Sequence, residues 1–293
     1  MVYFLPRRCD ASRGSERLGA QPSRPGNTDM ARQRTQELPD LGILLKPRGQ
    51  LMLAVEDAVL RGKEWESASM PVAAQIAARI AGAITLNHIE AGKRLLESDI
   101  GEILHVSRAP VREALRILER DRLVAVEARR GAIVTQPDAR ELRDIFAVRT
   151  LLYSALIEEL LAESPAQLGK VFDEHVKALE QAMNESLDAY VLEGFLLNFA
   201  VFDLSSNLVL SDMLKSISLR VLRYNRMAFA AHPDAIAQSI RGWRELRRAI
   251  AAQDLPRVLK CVETRMSTSR DNAIRSVETP EHGAPARRKT RAA

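Results

Sequence analysis

Residues 97–134, ESDIGEILHVSRAPVREALRILERDRLVAVEARRGAIV, decide the fold. Ile100, Ile103 and Leu104 supply the buried face of a short helix, which either Ser98 or Glu97 is placed to cap. His105 and Val106 make a tight turn. Ser107 then stands where a helix N-cap belongs, and Pro110 falls in the first helical turn, where its missing N–H costs little. Val111, Ala114, Leu115 and Leu118 recur at helical spacing and turn inward, leaving Arg108, Arg112 and Arg116 on the outer face near the helix N-terminus. Two helices joined in this way form a helix-turn-helix, whose second helix enters a major groove N-terminus first. An arginine pairs bidentately with guanine O6 and N7 and also binds phosphate, so this face suits both reading and holding DNA. How those tasks divide among the three arginines stays open at this level.

Directly downstream, LVAVEA alternates apolar and polar residues, the turn Arg129, Arg130, Gly131 follows, and AIVTQ returns. This pattern predicts a two-stranded wing. Gly131 permits the tight turn and a close approach to a sugar–phosphate backbone, while the two arginines suit a minor groove or phosphates. Taken alone, the same tip also reads as a solvated basic hairpin.

Upstream, PVAAQIAARIAGAIT places Val72, Ile76, Ile80 and Ile84 at helical spacing, and Gly92 permits a reversal before the quoted stretch. A winged helix-turn-helix domain is thus predicted over residues 71–137. Residues 1–70 read as an extension, largely disordered: the first forty mix Arg, Ser, Gly, Gln and Pro without apolar periodicity. Within it LMLAVEDAVL (51–60) is a possible short helix, apolar over too much of its circumference for a plain amphipathic pattern.

Past Pro137 the pattern becomes helical throughout. One long helix carries Leu142, Ile145, Phe146, Val148, Leu152 and Ile157, and further helices are expected over 165–185, 187–206, 208–231, 233–252 and 254–276. The fold class is therefore mainly α, a winged helix-turn-helix followed by an all-α bundle over 138–278, with a disordered basic tail over 279–293.

Bulk composition agrees. A chain of 293 residues accommodates two ordinary domains, and 46% hydrophobic with only 4% aromatic residues suits a helical protein. The net charge of +5 is compatible with nucleic acid without proving it. Cys9 and Cys261 are far apart, which argues against a disulfide framework or a zinc cluster, and no apolar run is long enough for a membrane span. A cytoplasmic protein, nucleoid-associated when bound to DNA, is the expectation.

With VSRAPVREAL (106–115), Leu123 and Val124 at the wing entry, and RRGAIV (129–134) in this order, residues 72–136 resemble the winged-helix signature of the GntR family of bacterial regulators. Farther on, IFAVRTLLYSALIEELL (145–161), the SSN turn (205–207) and AIAAQDLPRVLKCVETRM (249–266) resemble the FCD effector domain of the FadR-type branch, more loosely. The resemblance implies a homodimer on a pseudo-palindromic operator, usually acting as a repressor, with the third helix in the major groove and the wing tip in the minor groove.

Many domains of that class carry a metal, held by an Asp and a His one helical turn apart and by two later histidines. Counted from the shared landmarks, those positions here hold Gly194, Asn198, Trp243 and Arg265, so no metal and no cofactor is expected. Trp243 reads as a packing residue or as filling the space of the metal. Arg265 in a helical interior needs an anionic partner: a protein carboxylate, or an effector such as an organic acid or acyl conjugate. Arg149, Asn198, Arg220, Arg223, Asn225 and Arg241 are further candidates for lining an effector pocket, each more simply read as a solvating side chain. His175 and His232 read as surface or helix-end residues.

No nucleophile elbow, phosphate-binding glycine loop or paired-carboxylate motif is present, so catalysis is not expected. The expected function is an operator-binding repressor modulated by a small acidic metabolite. The alternative is a constitutive DNA-binding dimer whose effector site has decayed.

Overall fold

The apolar breadth of LMLAVEDAVL has a tertiary cause. In the structure, a computed structural model that describes residues 40–61, 71–127 and 130–278, a 3-10 helix Leu41–Leu45 leads into α1 (Gln50–Arg61), which packs along α2 (Val72–Thr85). Leu41, Leu44, Leu51, Met52, Val55 and Val59 are all buried. Each such side chain contributes about 1.5–3 kcal/mol before chain entropy is subtracted. Ala54 and Ala58, which flank this face of α1, pack against the same core, which the C-terminal helices also join.

Gly82 allows the close approach, since a Cβ there would lie 2.9 Å from Met52 Cγ. Arg79 on α2 donates to the Leu44 carbonyl at 2.9 Å and to Glu56 at 3.0 Å, and Glu56 also accepts from Arg48 at 3.0 Å. The described part of the extension is therefore folded onto the winged helix. Residues 1–39, 62–70 and 279–293, where disorder was expected, lie outside the described residues.

The winged helix continues through β1 (Arg94–Leu95), α3 (Glu97–Leu104), α4 (Arg108–Arg120), β2 (Val124–Glu127) and β3 (Gly131–Val134). The sheet has three strands, not the two expected: β3 lies between β1 and β2, antiparallel to both, with Val124 opposite Val134 and Arg94 opposite Ile133. A two-residue strand has no periodicity, so sequence pattern cannot reveal β1.

The caps also differ from expectation. Leu96 occupies the N-cap of α3, so neither Ser98 nor Glu97 caps it, and Ser107 holds the N-cap of α4 without a side-chain hydrogen bond. α3 ends on His105 in the left-handed region, φ 52°, which makes the turn into α4.

Six helices follow: α5 (Ala139–Glu163), α6 (Pro165–Ala182), α7 (Leu187–Phe202), α8 (Leu208–Ala231), α9 (Pro233–Ala251) and α10 (Leu255–Glu278). Side-chain caps begin four of them: Asp138 accepts from Glu141 N, Ser186 from Ala189 N, Asn207 from Leu210 N and Asp254 from Arg257 N. Pro165 and Pro233 start two more. Tyr153, Phe172, Phe202 and Trp243 lie in the core of this bundle.

The two domains share buried surface, because Val191, Leu192, Phe195 and Leu222 belong to the same apolar cluster as the winged-helix core. On α8, Arg223 Nε donates to Asn87 Oδ1 at 3.1 Å, and Arg226 donates to the Leu86 carbonyl at 3.1 Å and to Asp188 at 2.8 Å. Asn87 takes the left-handed conformation, φ 59°, that ends α2. No helix among the described residues is long and apolar enough to cross a membrane.

Candidate DNA interface and effector cavity

On α4 the alternation of burial is strict. Val111, Ala114, Leu115 and Leu118 are buried, and Ser107, Arg108, Arg112 and Arg116 are exposed. Pro110 sits in the first turn, half-buried. A groove of about 500 Å³ separates this helix from the wing, and Arg108, Arg112, Arg116, Arg130 and Gly131 all line it. Thus five of the eight sequence-predicted DNA contacts converge on one concavity, flanked by Ser107 and Pro110. Arg129 lies outside the described residues.

Three features of this groove escape sequence inspection. Glu97 lines it and accepts two hydrogen bonds from Arg112, at 2.9 and 2.8 Å. The bonds from Arg112 hold the Glu97 carboxyl below the usual carboxylate range. Arg94 on β1 braces the wing, donating to Glu127 and to the Arg130 carbonyl, each at 2.8 Å. Gly131, at φ +81°, leaves its Cβ position against the Leu95 carbonyl, so a side chain there would collide with β1. No sequence motif exposes these pairings, since their partners lie 15 to 36 residues away.

The second site is a cavity of about 460 Å³ inside the helical domain, between α5, α7, α8, α9 and α10. Arg149, Asn198, Asn225, Arg241, Trp243 and Arg265 line it, as does Gly194. Arg220 and Arg223 do not. Both lie on the opposite side of α8, where Arg220 pairs with Glu141 at 3.2 Å and Arg223 holds Asn87. Helical phase separates them from the cavity-facing Ser218, Val221, Leu222 and Asn225.

Arg149 is 5% exposed, and its nearest polar partner is the neutral Asn198 Oδ1 at 3.5 Å. Asn198 in turn donates to the Gly194 carbonyl at 2.6 Å. Arg265 lies over the Trp243 ring, 3.1 Å from its centroid. Gly242 makes room for it, because a Cβ there would lie 2.8 Å from Arg265 Cγ. Arg149 Nε and Arg265 Nε and Nη1 are buried without a hydrogen-bond partner. Burial pushes both guanidinium groups down to about 10, which still leaves them charged at neutral pH. Burial likewise pushes the Tyr190 phenol up to about 12.

The four positions that the family resemblance assigns to metal ligands therefore do meet at one cavity. They present an amide, an indole, a guanidinium and no side chain, a set that repels a divalent ion and does not coordinate it. Among the described residues no group of three or more His, Cys, Asp or Glu side chains is arranged to hold a metal. His175 stands apart, 3.8 Å from Glu193, and His232 occupies the N-cap position of α9 without a side-chain cap hydrogen bond.

The family models agree with this architecture. Residues 72–134 match the family described as bacterial regulatory proteins, gntR family, and residues 144–267 match the FCD domain. The HTH-type transcriptional regulator YdhC of Bacillus subtilis is 25% identical over 140 residues, 45% of this chain and 62% of that protein. The gluconate operon transcriptional repressor of the same organism is 35% identical over 110 residues, 38% of this chain and 44% of that protein. The chain thus spans only about half the length of these curated relatives.

Among solved structures, E. coli McbR/YncC superposes with a TM-score of 0.58 at 20% identity, covering 68% of this chain and 95% of that one. A GntR transcriptional regulator from Rhodococcus sp. RHA1 superposes at 0.56 with 24% identity, covering 69% and 97%. These likenesses show the fold. With a GntR winged helix and an FCD domain in the order observed here, the chain belongs to the FCD-bearing, FadR-type branch of the GntR family of bacterial transcriptional regulators.

Proposed function

We propose that the protein is a dimeric, sequence-specific DNA-binding repressor of a pseudo-palindromic operator, released or tightened by a small acidic metabolite bound in the helical domain. The observation that carries it is the groove in which Arg108, Arg112, Arg116 and Arg130 stand together between α4 and the wing. Exposed arginines at the N-terminal end of a recognition helix suit base edges, and one on the wing suits the adjoining backbone. Repression is the reading that the gluconate operon relative favours. Action on a bacterial chromosome places the protein in the cytoplasm.

Dimerisation is supported by apolar side chains left on the surface. Val148 and Leu151 on α5 are 45% and 71% exposed, and Leu208 and Val209 on α8 are 73% and 71% exposed. Pairings of Glu141 with Arg220 and of Glu159 with Ser205 run along this edge, so the two exposed stripes lie side by side. A surface of that kind suits a second copy of the chain. The acidic effector is supported by Arg149 and Arg265, two buried cations without a carboxylate partner.

Selection of binding sites from random duplexes at near-physiological salt tests the reading, with wild type compared against an Arg108→Ala, Arg112→Ala double variant. The expected result is a short palindrome enriched by the wild type alone. No enrichment, or equal salt-sensitive binding by both proteins, overturns it.

A further inference from the structure

Three properties of the α5–α10 cavity define its ligand more closely than acidity alone, provided the cavity is the effector site. First, it contains two cations with buried guanidinium nitrogens on different helices, Arg149 on α5 and Arg265 on α10, and the Arg149 charge helps to push the Arg265 guanidinium down, while Arg241 on α9 lines the same cavity but is exposed to solvent. Second, nothing on its wall neutralises them. Glu245 is the acidic side chain of the lining among the described residues, and it is already tied to Arg257 and lies 3.5 Å from Arg248. Third, the remaining wall is largely apolar, with Val191, Phe195, Leu222 and Phe229 facing the guanidinium groups' cavity.

A buried cation without a counter-ion destabilises the fold by its desolvation. Two of them persist here within a wall that Gly242 opens for the Arg265 stem, an arrangement built for an anion that arrives from solution. A monoanion neutralises one guanidinium and leaves the other buried and unpaired. A metal chelate is excluded by the donor set. We infer that the cavity takes a small dicarboxylic acid without any metal ion, one carboxylate on each arginine and the carbon chain against the apolar wall. Planar guanidinium groups match carboxylates bidentately, and the neutral Asn198 and Ser218 complete the polar end.

Thermal unfolding of the full chain, dialysed against EDTA, tests this with unbranched dicarboxylates of three to eight carbons, the monocarboxylates of equal length, and inorganic phosphate. A dicarboxylate at a hundred times its Kd is expected to raise Tm by about 5–10 °C. Monocarboxylates and phosphate are expected to give clearly smaller shifts. Arg149→Met and Arg265→Met are each expected to weaken the dicarboxylate at least about tenfold, and Arg149→Met is expected to unfold at or above the wild-type Tm without ligand.

A second variant guards against misfolding. Asn198→Asp supplies the missing carboxylate beside Arg149, so it should raise the ligand-free Tm and abolish the dicarboxylate shift. The inference is overturned if no dicarboxylate shifts Tm, if the shift requires added zinc or manganese, if phosphate or monocarboxylates match it, or if it survives in the arginine variants. Operator selection run beside it separates the failures. A retained palindrome with no dicarboxylate shift removes only this inference, whereas a lost palindrome removes the regulator reading on which it rests.

Discussion

Arg112 on the recognition helix is gripped by Glu97 at the start of α3 through two parallel hydrogen bonds of 2.9 and 2.8 Å. A carboxylate-bound arginine is held in one rotamer and presents its remaining N–H groups in a fixed direction, so Glu97 orients Arg112 at the cost of competing with any base for it. Glu97→Gln is therefore expected to leave Tm close to wild type and to relax base preference at the position Arg112 faces. Competition binding with single-base operator variants reads this out. Preference unchanged at every position would show that Glu97 does not position Arg112. Because its carboxyl lies below the usual range, the pairing is complete above the ordinary carboxylate value and is lost only as pH falls through the lowered one.

Gly131 is a geometric necessity of the wing. Its φ of +81° and its contact with the Leu95 backbone both exclude a side chain. Gly131→Ala should destabilise the protein by about 2–4 kcal/mol through strain and separation of β1 from β3. Chemical denaturation measures it, and a loss below a few tenths would show that the wing absorbs the change.

Helix α8 carries cavity-lining residues on one face and Arg223 on the other, where the Asn87 amide at the end of α2 receives it. The same helix therefore touches the effector cavity and the DNA-binding domain. Asn87→Ala deprives a buried guanidinium of its acceptor and should cost about 1–3 kcal/mol. It should also weaken the effect of a cavity ligand on operator affinity while leaving ligand binding intact, which titrations with and without DNA distinguish. Unaltered coupling would mean the signal travels elsewhere.

Val148 and Leu151 project from α5 into solvent. A Leu151→Glu change should convert a dimer to a monomer in light scattering and weaken a full palindrome by about a hundredfold or more, with a half-site little affected. A dimer that survives the change would place its interface on another face.

Much of the architecture is determined by sequence alone, because its signals are local. Ser107, Pro110 and the inward spacing of Val111 to Leu118 set α4 and put Arg108, Arg112 and Arg116 outside, since helical period depends on nothing beyond neighbouring residues. Prolines 165 and 233 and the cap at Asn207 likewise mark the helices of the bundle in the sequence. Tertiary structure decided the rest, where the partner is remote in the chain. β1 exists only because β3 pairs with it, and LMLAVEDAVL makes sense as a helix only against α2 and the C-terminal helices. Periodicity cannot assign an arginine to one side of a helix packed on both faces, so Arg149 and Arg265 meet in the cavity while Arg220 and Arg223 turn away from it to Glu141 and Asn87. Whether a buried charge finds a counter-ion depends on which helices close around it, and that is a property of the packed bundle.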